Sequence, residues 1–270
     1  MTVPLAELSC EKEKAKGSVR SNREEGGFQM PGGQTAVGLG LATSVIVSWA
    51  FLHVAAIFFL PMETAWPVAP LVIAGQCWLY VGLFIIAHDC MHGSLVPFRP
   101  SANRAVGTAV LFLYAGFSFN KMNAKHHAHH RYSGTDHDPD FDDRHPHGFW
   151  PWYGKFFTEY LTWRQPLVLG SAITFYAFVL GAPLINLFLF WALPSLLSSL
   201  QLFTFGTYLP HRPGDEDFID SHNARTNDFC WMVSLLTCFH FGYHHEHHLA
   251  PRAPWWRLPA VRSALRHEEQ

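Results

Sequence analysis

Residues 67–92 read PVAPLVIAGQCWLYVGLFIIAHDCMH. No charged side chain interrupts Pro67 to Ala87, and the stretch closes on two histidines four residues apart, His88 and His92. A bilayer core needs about 20 consecutive apolar residues per helix. The segment therefore reads as a membrane span that delivers two imidazoles, one helical turn apart, to one membrane face. The fold of the chain depends on whether other segments repeat that design.

Three do. Ala36 to Leu60 is apolar except for small hydroxyls and His53, and Pro166–Pro183 and Leu184–Leu209 are comparable runs. Ala105–Phe119 and Phe229–Phe239 are apolar but too short to cross, which suits re-entrant or interfacial segments. The expected fold class is an all-α integral membrane protein, with four transmembrane helices under a cytoplasmic, histidine-rich helical cap. Residues 1–35 are polar and Gly-rich with no apolar core of the signal-peptide kind, so a flexible cytoplasmic tail is expected there. The main domain is expected over 36–260 and a C-terminal tail over 261–270.

Composition agrees. Only 15% of the 270 residues are charged, against about a quarter in soluble domains. The mean hydropathy of +0.06 averages apolar runs with a polar remainder. A net charge of −2 excludes a broadly basic nucleic-acid binder. Five cysteines with no C-x-x-C pair exclude a disulfide scaffold and a thiolate zinc site. All 19 basic residues lie before the first span, between the second and third, or after the fourth; the connections 61–66 and 181–183 hold none. By the positive-inside rule, both termini and the long middle segment are cytoplasmic.

The 18 histidines need explaining. His88 and His92 form H-x-x-x-H; His126, His129 and His130 form H-x-x-H-H; His244, His247 and His248 repeat it. Spacings of three and four gather side chains on one helix face. Eight imidazoles exceed what one tetrahedral metal uses, so two metals in an all-histidine shell are expected, with Fe, Zn, Cu and Ni all compatible. His211 is the ninth candidate ligand and His222 a possible tenth. His240 is read as supporting the shell, His53 as a packed helix residue, and His127 and His245 as pointing off the ligand face. His137, His145 and His147 are read as loop residues. Asp136, Asp138, Asp140, Asp142 and Asp143 lack the turn Gly and closing Glu of a calcium loop. Some of them can accept the second ring N–H of a ligand histidine, and Asp89 and Glu246 inside the histidine motifs are the stronger candidates for that role. Trp150, Trp152, Tyr153, Trp163, Trp255 and Trp256 flank apolar segments as an interfacial aromatic belt does, or as the lining of a channel for an apolar substrate would.

These three motifs at one face of a four-span chain resemble the membrane fatty-acid desaturase/hydroxylase superfamily. The stretches FIIAHDCMHGSLVP (84–97), HHAHHRYSGTDHDPDF (126–141), LQLFTFGTYLPHR (200–212) and LLTCFHFGYHHEHHLAPRAPWW (235–256) look like bacterial and cyanobacterial β-carotene ketolases. The resemblance runs over roughly 36–260. It implies two Fe ions held by His88, His92, His126, His129, His130, His211, His244, His247 and His248, O2 as co-substrate, and a carotenoid substrate dissolved in the bilayer. It further implies two hydroxylations of ring carbon C4 and loss of water, taking β-carotene to echinenone and canthaxanthin, or zeaxanthin to astaxanthin. The setting it implies is a bacterial inner or cyanobacterial membrane. No G-x-G-x-x-G fingerprint is present, so electrons are expected from an external donor such as ferredoxin. A carotene hydroxylase, a fatty-acyl desaturase or hydroxylase, and a non-enzymatic membrane metal-binding protein remain the alternatives. A metal carrier is disfavoured because the spans hold almost no ionisable groups.

Overall fold

The computed structural model describes residues 33–268, which lie within a compact unit beginning at Gly32. Every regular element among them is helical. Most of the expected 1–35 tail lies outside the described residues, but its last positions already belong to a helix, α1 (Gln34–Phe59). A single turn, α2 (Met62–Ala65), leads to α3 (Ala69–Met91). The chain continues through α4 (Pro100–Ala115), α5 (Phe119–Tyr132), α6 (Phe149–Tyr160) and α7 (Arg164–Phe178). A long helix, α8, covers Leu184–His211 and contains two π-helical segments, Phe188–Ala192 and Thr204–Tyr208. Two short helices, α9 (Trp231–Cys238) and α10 (His244–Leu249), precede α11 (Leu258–Glu268).

Three helices among the described residues are long and apolar enough to cross a membrane: α1, α3 and α8. The expected third span, Pro166–Pro183, is instead the 15-residue α7, which stops at Phe178. At 1.5 Å per residue it is about 22 Å long, short of a bilayer core. Gly181, at φ 71°, then turns the chain toward α8. Residues 261–268, expected as a tail, continue α11.

α3 is the axis of the molecule. Tyr80, Val81, Leu83 and Ile85 are fully buried on consecutive faces, as a helix that is apolar all round requires. It packs against α1, α4 and α8. Close approach rests on glycine: a Cβ at Gly82 would meet Phe239 and Val45 at 2.8 Å, and one at Gly107 would overlap the Phe119 ring. The outer face of α1 exposes Val47, Phe51, Val54 and Phe59, suited to lipid.

α4 and α5 form a hairpin beside α3. Tyr114 near the end of α4 packs against Tyr80 and bonds Ser198 at 3.0 Å, half-way along α3 and α8. The Gly116 N–H bonds back to Phe112 O at 2.9 Å and the Phe117 N–H to Leu111 O at 3.2 Å, closing α4 in a left-handed glycine turn. α5 then returns to place its histidines beside the end of α3. At the opposite end, the buried Asn186 amide donates to the carbonyls of Ala56, Ile57 and Leu60 at 2.9–3.1 Å, tying α8 to α1. Trp152, placed in the aromatic belt by sequence, is fully buried and donates its indole N–H to Asp140 O at 2.6 Å. Trp150 and Trp163 are the exposed rings, at 67% and 80%.

Candidate metal centre

Four helix ends meet at one end of the bundle. α3 supplies His88 and, just past its last residue, His92; α5 supplies His126, His129 and His130; the last residue of α8 is His211; α10 supplies His244, His247 and His248. These nine side chains sort into two groups. One holds His88, His92, His126, His130 and His247, the other His129, His211, His244 and His248, with ring nitrogens within 4.8 Å of one another in each.

The sorting follows from helix geometry. At about 100° per residue, positions i and i+4 lie about 40° apart, whereas i+3 lies about 60° to the other side of i. Each H-x-x-H-H box therefore gives its i/i+4 pair to one group and its i+3 member to the other. His126 and His130 join the five-histidine group while His129 crosses to the four-histidine group; His244 and His248 join the latter while His247 crosses back. The groups adjoin where His130 and His248 stack with centroids 4.3 Å apart.

Within the larger group, His92 Nε2 approaches His126 Nε2 at 2.7 Å, and His130 Nε2 lies 3.2 Å from His126 Nε2 and 2.9 Å from His247 Nε2. In the smaller group His248 Nε2 lies 3.1 Å from His244 Nε2. Neutral imidazoles offer one proton each, so these crowded nitrogens cannot all be paired with one another. His88 Nε2 and His211 Nε2 are buried with no protein partner. A divalent cation is the partner that satisfies converging imidazole lone pairs at once.

Outer contacts fix several rings. His129 Nδ1–H donates to both oxygens of Asp138 at 3.0 Å, and His211 Nδ1–H donates to Asn223 O at 2.7 Å. Each bond leaves Nε2 as the lone-pair nitrogen turned inward. Asp138 is held in turn by the N–H groups of Gly134 and Asp140 at 2.9 and 2.8 Å. Asp89 and Glu246, favoured by sequence, do less. Asp89 lies 3.8 Å from His88 Nδ1, beyond hydrogen-bond length. Glu246 accepts from Thr226 and faces Arg262 at 3.9 Å rather than an imidazole.

Burial, reinforced by neighbouring imidazoles, pulls His126, His130, His244, His247 and His248 well below the ordinary imidazole value and His92 down to about 3. Their rings are neutral at pH 7, the state a metal ligand needs. His129 differs: burial again disfavours its charge, but Asp138 and then Asp140 outweigh burial and raise it to about 9. Asp140 is itself pushed up to about 6 by burial.

A cavity of about 840 Å³, its mouth included, opens on this cluster. Phe84, Met91, Phe117, Leu202 and Phe241 form much of its apolar wall, and His88, His126, His129 and His244 reach it from both groups. Its polar lining includes Asp140, Tyr160, Ser199 and Thr207. Thr207 sits in the second π-helical segment of α8, a distortion common at functional sites.

A family model for fatty acid desaturases matches residues 63–172 and 159–270. The chain belongs to the fatty acid desaturase family. It is 52% identical over 231 residues to a protein of Paracoccus sp. (strain PC1) named beta-carotene ketolase, a match covering 85% of this chain and 94% of that one. It is 54% identical over 231 residues to a beta-carotene ketolase of Paracoccus sp. (strain N81106 / MBIC 01143), covering 85% and 93%. A zeaxanthin 4-ketolase of Chlamydomonas reinhardtii is 34% identical over 261 residues, covering 92% of this chain and 58% of that one.

In this desaturase-family chain the eight histidines singled out by spacing, and His211 at the end of an apolar run, meet in the two groups. His222 and His245 instead flank Asp220, at 3.0 and 3.1 Å, as a separate cluster. His240 stacks between Tyr243 and Trp255, outside both groups. His127 bonds Asn123 O at 2.8 Å and faces outward. Sequence reasoning missed Asn223, Tyr160 and Thr207. Asn223 acts through its backbone carbonyl, which no residue pattern marks.

Proposed function

We propose that this chain is a β-carotene ketolase, oxidising C4 of β-ionone rings with O2 to give echinenone and then canthaxanthin. One observation carries the reading: an apolar cavity ends on four imidazoles drawn from both histidine groups. A hydrocarbon ring that fills it is stripped of water and faces those imidazoles. The ketolases among the relatives support the substrate class.

The nine histidines suit two iron ions, five ligands on one side and four on the other. The orphaned Nε2 atoms of His88 and His211 are donors of the required kind. When bound, the metal pair supplies the activation of O2 needed to take hydrogen from an allylic C–H bond. The chain's own groups do the rest. Asp138 and the Asn223 carbonyl hold the Nδ1 protons of His129 and His211, fixing which nitrogen faces inward. The aromatic wall orients the ring and excludes water. Each hydroxylation consumes one O2, two electrons and two protons and releases one water; the second yields a gem-diol that loses water to the ketone. Electrons come from an external donor such as ferredoxin.

The bilayer reading extends to four crossings. α8 begins at the Asn186 end and finishes at His211, so the chain must first pass from the histidine end to the Asn186 end. α7, too short to cross alone, makes that passage together with residues 179–183: Val168 lies against Gly116 at mid-depth, and Tyr176 reaches His53 and Trp191 further down. With no basic residue in 61–66 or 181–183, the histidine end is assigned to the cytoplasm.

Expression in bacteria that accumulate β-carotene is expected to yield echinenone and canthaxanthin. An unchanged pigment profile, with iron and reductant present, overturns the proposal.

A further inference from the structure

The two-step chemistry proposed above leaves a hydroxyl on the ring after the first oxidation. A hydroxyl inside an apolar cavity costs free energy unless something accepts its proton. The cavity wall is apolar near the histidines except at a few positions. Ser199 is already occupied, donating to Leu196 O at 2.8 Å and bonding Tyr153 at 2.7 Å.

Asp140 is different. It lines the cavity together with His126 and His129. Oδ1 accepts from the Tyr160 hydroxyl, whereas Oδ2 lies 3.8 Å from His129 Nδ1 and accepts no hydrogen bond among the described residues. Its backbone is pinned on both sides, the N–H to Asp138 and the carbonyl to the Trp152 indole. The carboxylate is therefore held by the turn and by Tyr160, with one oxygen available to the cavity.

We infer that Asp140 Oδ2 accepts the hydrogen bond of the ring hydroxyl formed in the first oxidation, keeping the alcohol in the cavity for a second oxidation at the same carbon. Asp140 is then the residue that carries the reaction past the alcohol to the ketone. The role rests on the ketolase reading and adds no redox step to it: the second oxidation consumes a second O2 with two more electrons and two more protons, and Asp140 only holds the alcohol.

The test compares the intact protein with Asp140→Asn and Asp140→Ala in detergent micelles or membranes, with β-carotene or its 4-hydroxy derivative as substrate. Three quantities are read: the ratio of alcohol to ketone released, the ratio of kcat/KM for the alcohol to that for the hydrocarbon, and bound iron. In Asp140→Ala the released alcohol-to-ketone ratio is expected to rise about tenfold, the factor commanded by one hydrogen bond to a charged group. The kcat/KM ratio should fall by a similar factor. Asp140→Asn, which keeps an oxygen acceptor, should lie between. A variant that retains iron but shows both ratios unchanged overturns the inference. Loss of iron in both variants also overturns it, assigning Asp140 to holding His129. Should the unsubstituted chain form no oxidised carotenoid at all, it is the ketolase reading that fails.

Discussion

The two histidine groups share α5 and α10 but are anchored differently. The five-histidine group depends on spacing: its Nε2 atoms crowd one another at 2.7–3.2 Å, and its nearest carboxylate, Asp89, stops 3.8 Å short of His88 Nδ1. The four-histidine group is fully buried, and two of its rings are locked from behind by Asp138 and by the Asn223 carbonyl. The contrast separates two ways of building a metal shell. Helical periodicity alone can aim side chains at a point, but fixing a tautomer takes an outer partner supplied by loop geometry.

The largest expected effect comes from removing one proposed ligand of each group. His126→Ala and His129→Ala should each lower ketolase turnover by about 10³ or more, since a metal contributes several kcal/mol to the transition state. His53→Ala, stacked on Trp49 away from the site, should keep most of the activity. Because each H-x-x-H-H box serves both groups, the two variants should disturb different halves of the proposed metal centre although they differ by three positions in one helix. Metal analysis and Mössbauer spectra read this. Equal losses at all three positions would sink the ligand map.

A smaller effect separates the groups by their outer contacts. Asp138→Asn removes the charge behind His129 and should weaken metal binding in the four-histidine group by about 10- to 100-fold. Asp89→Asn should cost the other group much less, given its 3.8 Å gap. Competition with a chelator measures both affinities, and comparable losses would erase the distinction between the groups.

Acid and base act on the metal-stripped protein with opposite signs at the two anchors. His92 is pulled down to about 3 by burial. Below about pH 6.5 the unfolded chain takes up a proton that the folded one refuses, so stability falls as pH drops toward 3, by up to about 1.4 kcal/mol per pH unit for such a ring. His129 is raised to about 9 despite burial, through Asp138 and Asp140. Its contribution is complete below about pH 6.5 and is lost as pH rises through 9. Thermal melts in detergent should show a steep acid decline and a shallower alkaline one, the alkaline part shrinking in Asp138→Asn, where Asp140 alone still favours the charged ring. A flat profile below about pH 6.5 would contradict the neutral, buried state of the cluster.

How much was legible in the sequence follows the same division. His88, His92 and the two H-x-x-H-H boxes could be read because α-helical spacing is a local rule, and His211 because it closes an apolar run. The spans α1, α3 and α8 were legible for the same reason, as unbroken apolar length. α7 was not: apolar residues continue to Pro183, but the helix ends at Phe178 because Gly181 takes a left-handed turn before α8. Asp138 was legible only as one of five acids able to accept a ligand's ring N–H, with nothing to single it out. Its nine-residue distance from His129 means nothing on a helix, and the contact exists only because the chain reverses after α5. Trp152 misled because an aromatic beside an apolar run looks interfacial until the Asp140 carbonyl claims its N–H.

That reversal can be tested by a change that touches no ligand. Gly134 sits at φ 70° and gives its N–H to Asp138 Oδ2 at 2.9 Å. A Cβ there would also meet the Asn223 side chain at 2.8 Å, and Asn223 ties the same turn by donating to Ser133 O at 2.7 Å. Gly134→Ala therefore imposes a left-handed conformation on an L-residue, at about 1–2 kcal/mol, and presses on the residue whose carbonyl holds His211. The expected result is a modest drop in thermal stability, with weakened metal binding confined to the four-histidine group, since both strained contacts lead to its rings. Gly93, at φ 67° with no atom within 4 Å of a Cβ, provides the control: Gly93→Ala carries the same backbone cost without the push on Asn223. If both variants lose metal equally, the turn is generic scaffolding, and the four-histidine group owes its anchoring to something other than the path from Ser133 to Asp138.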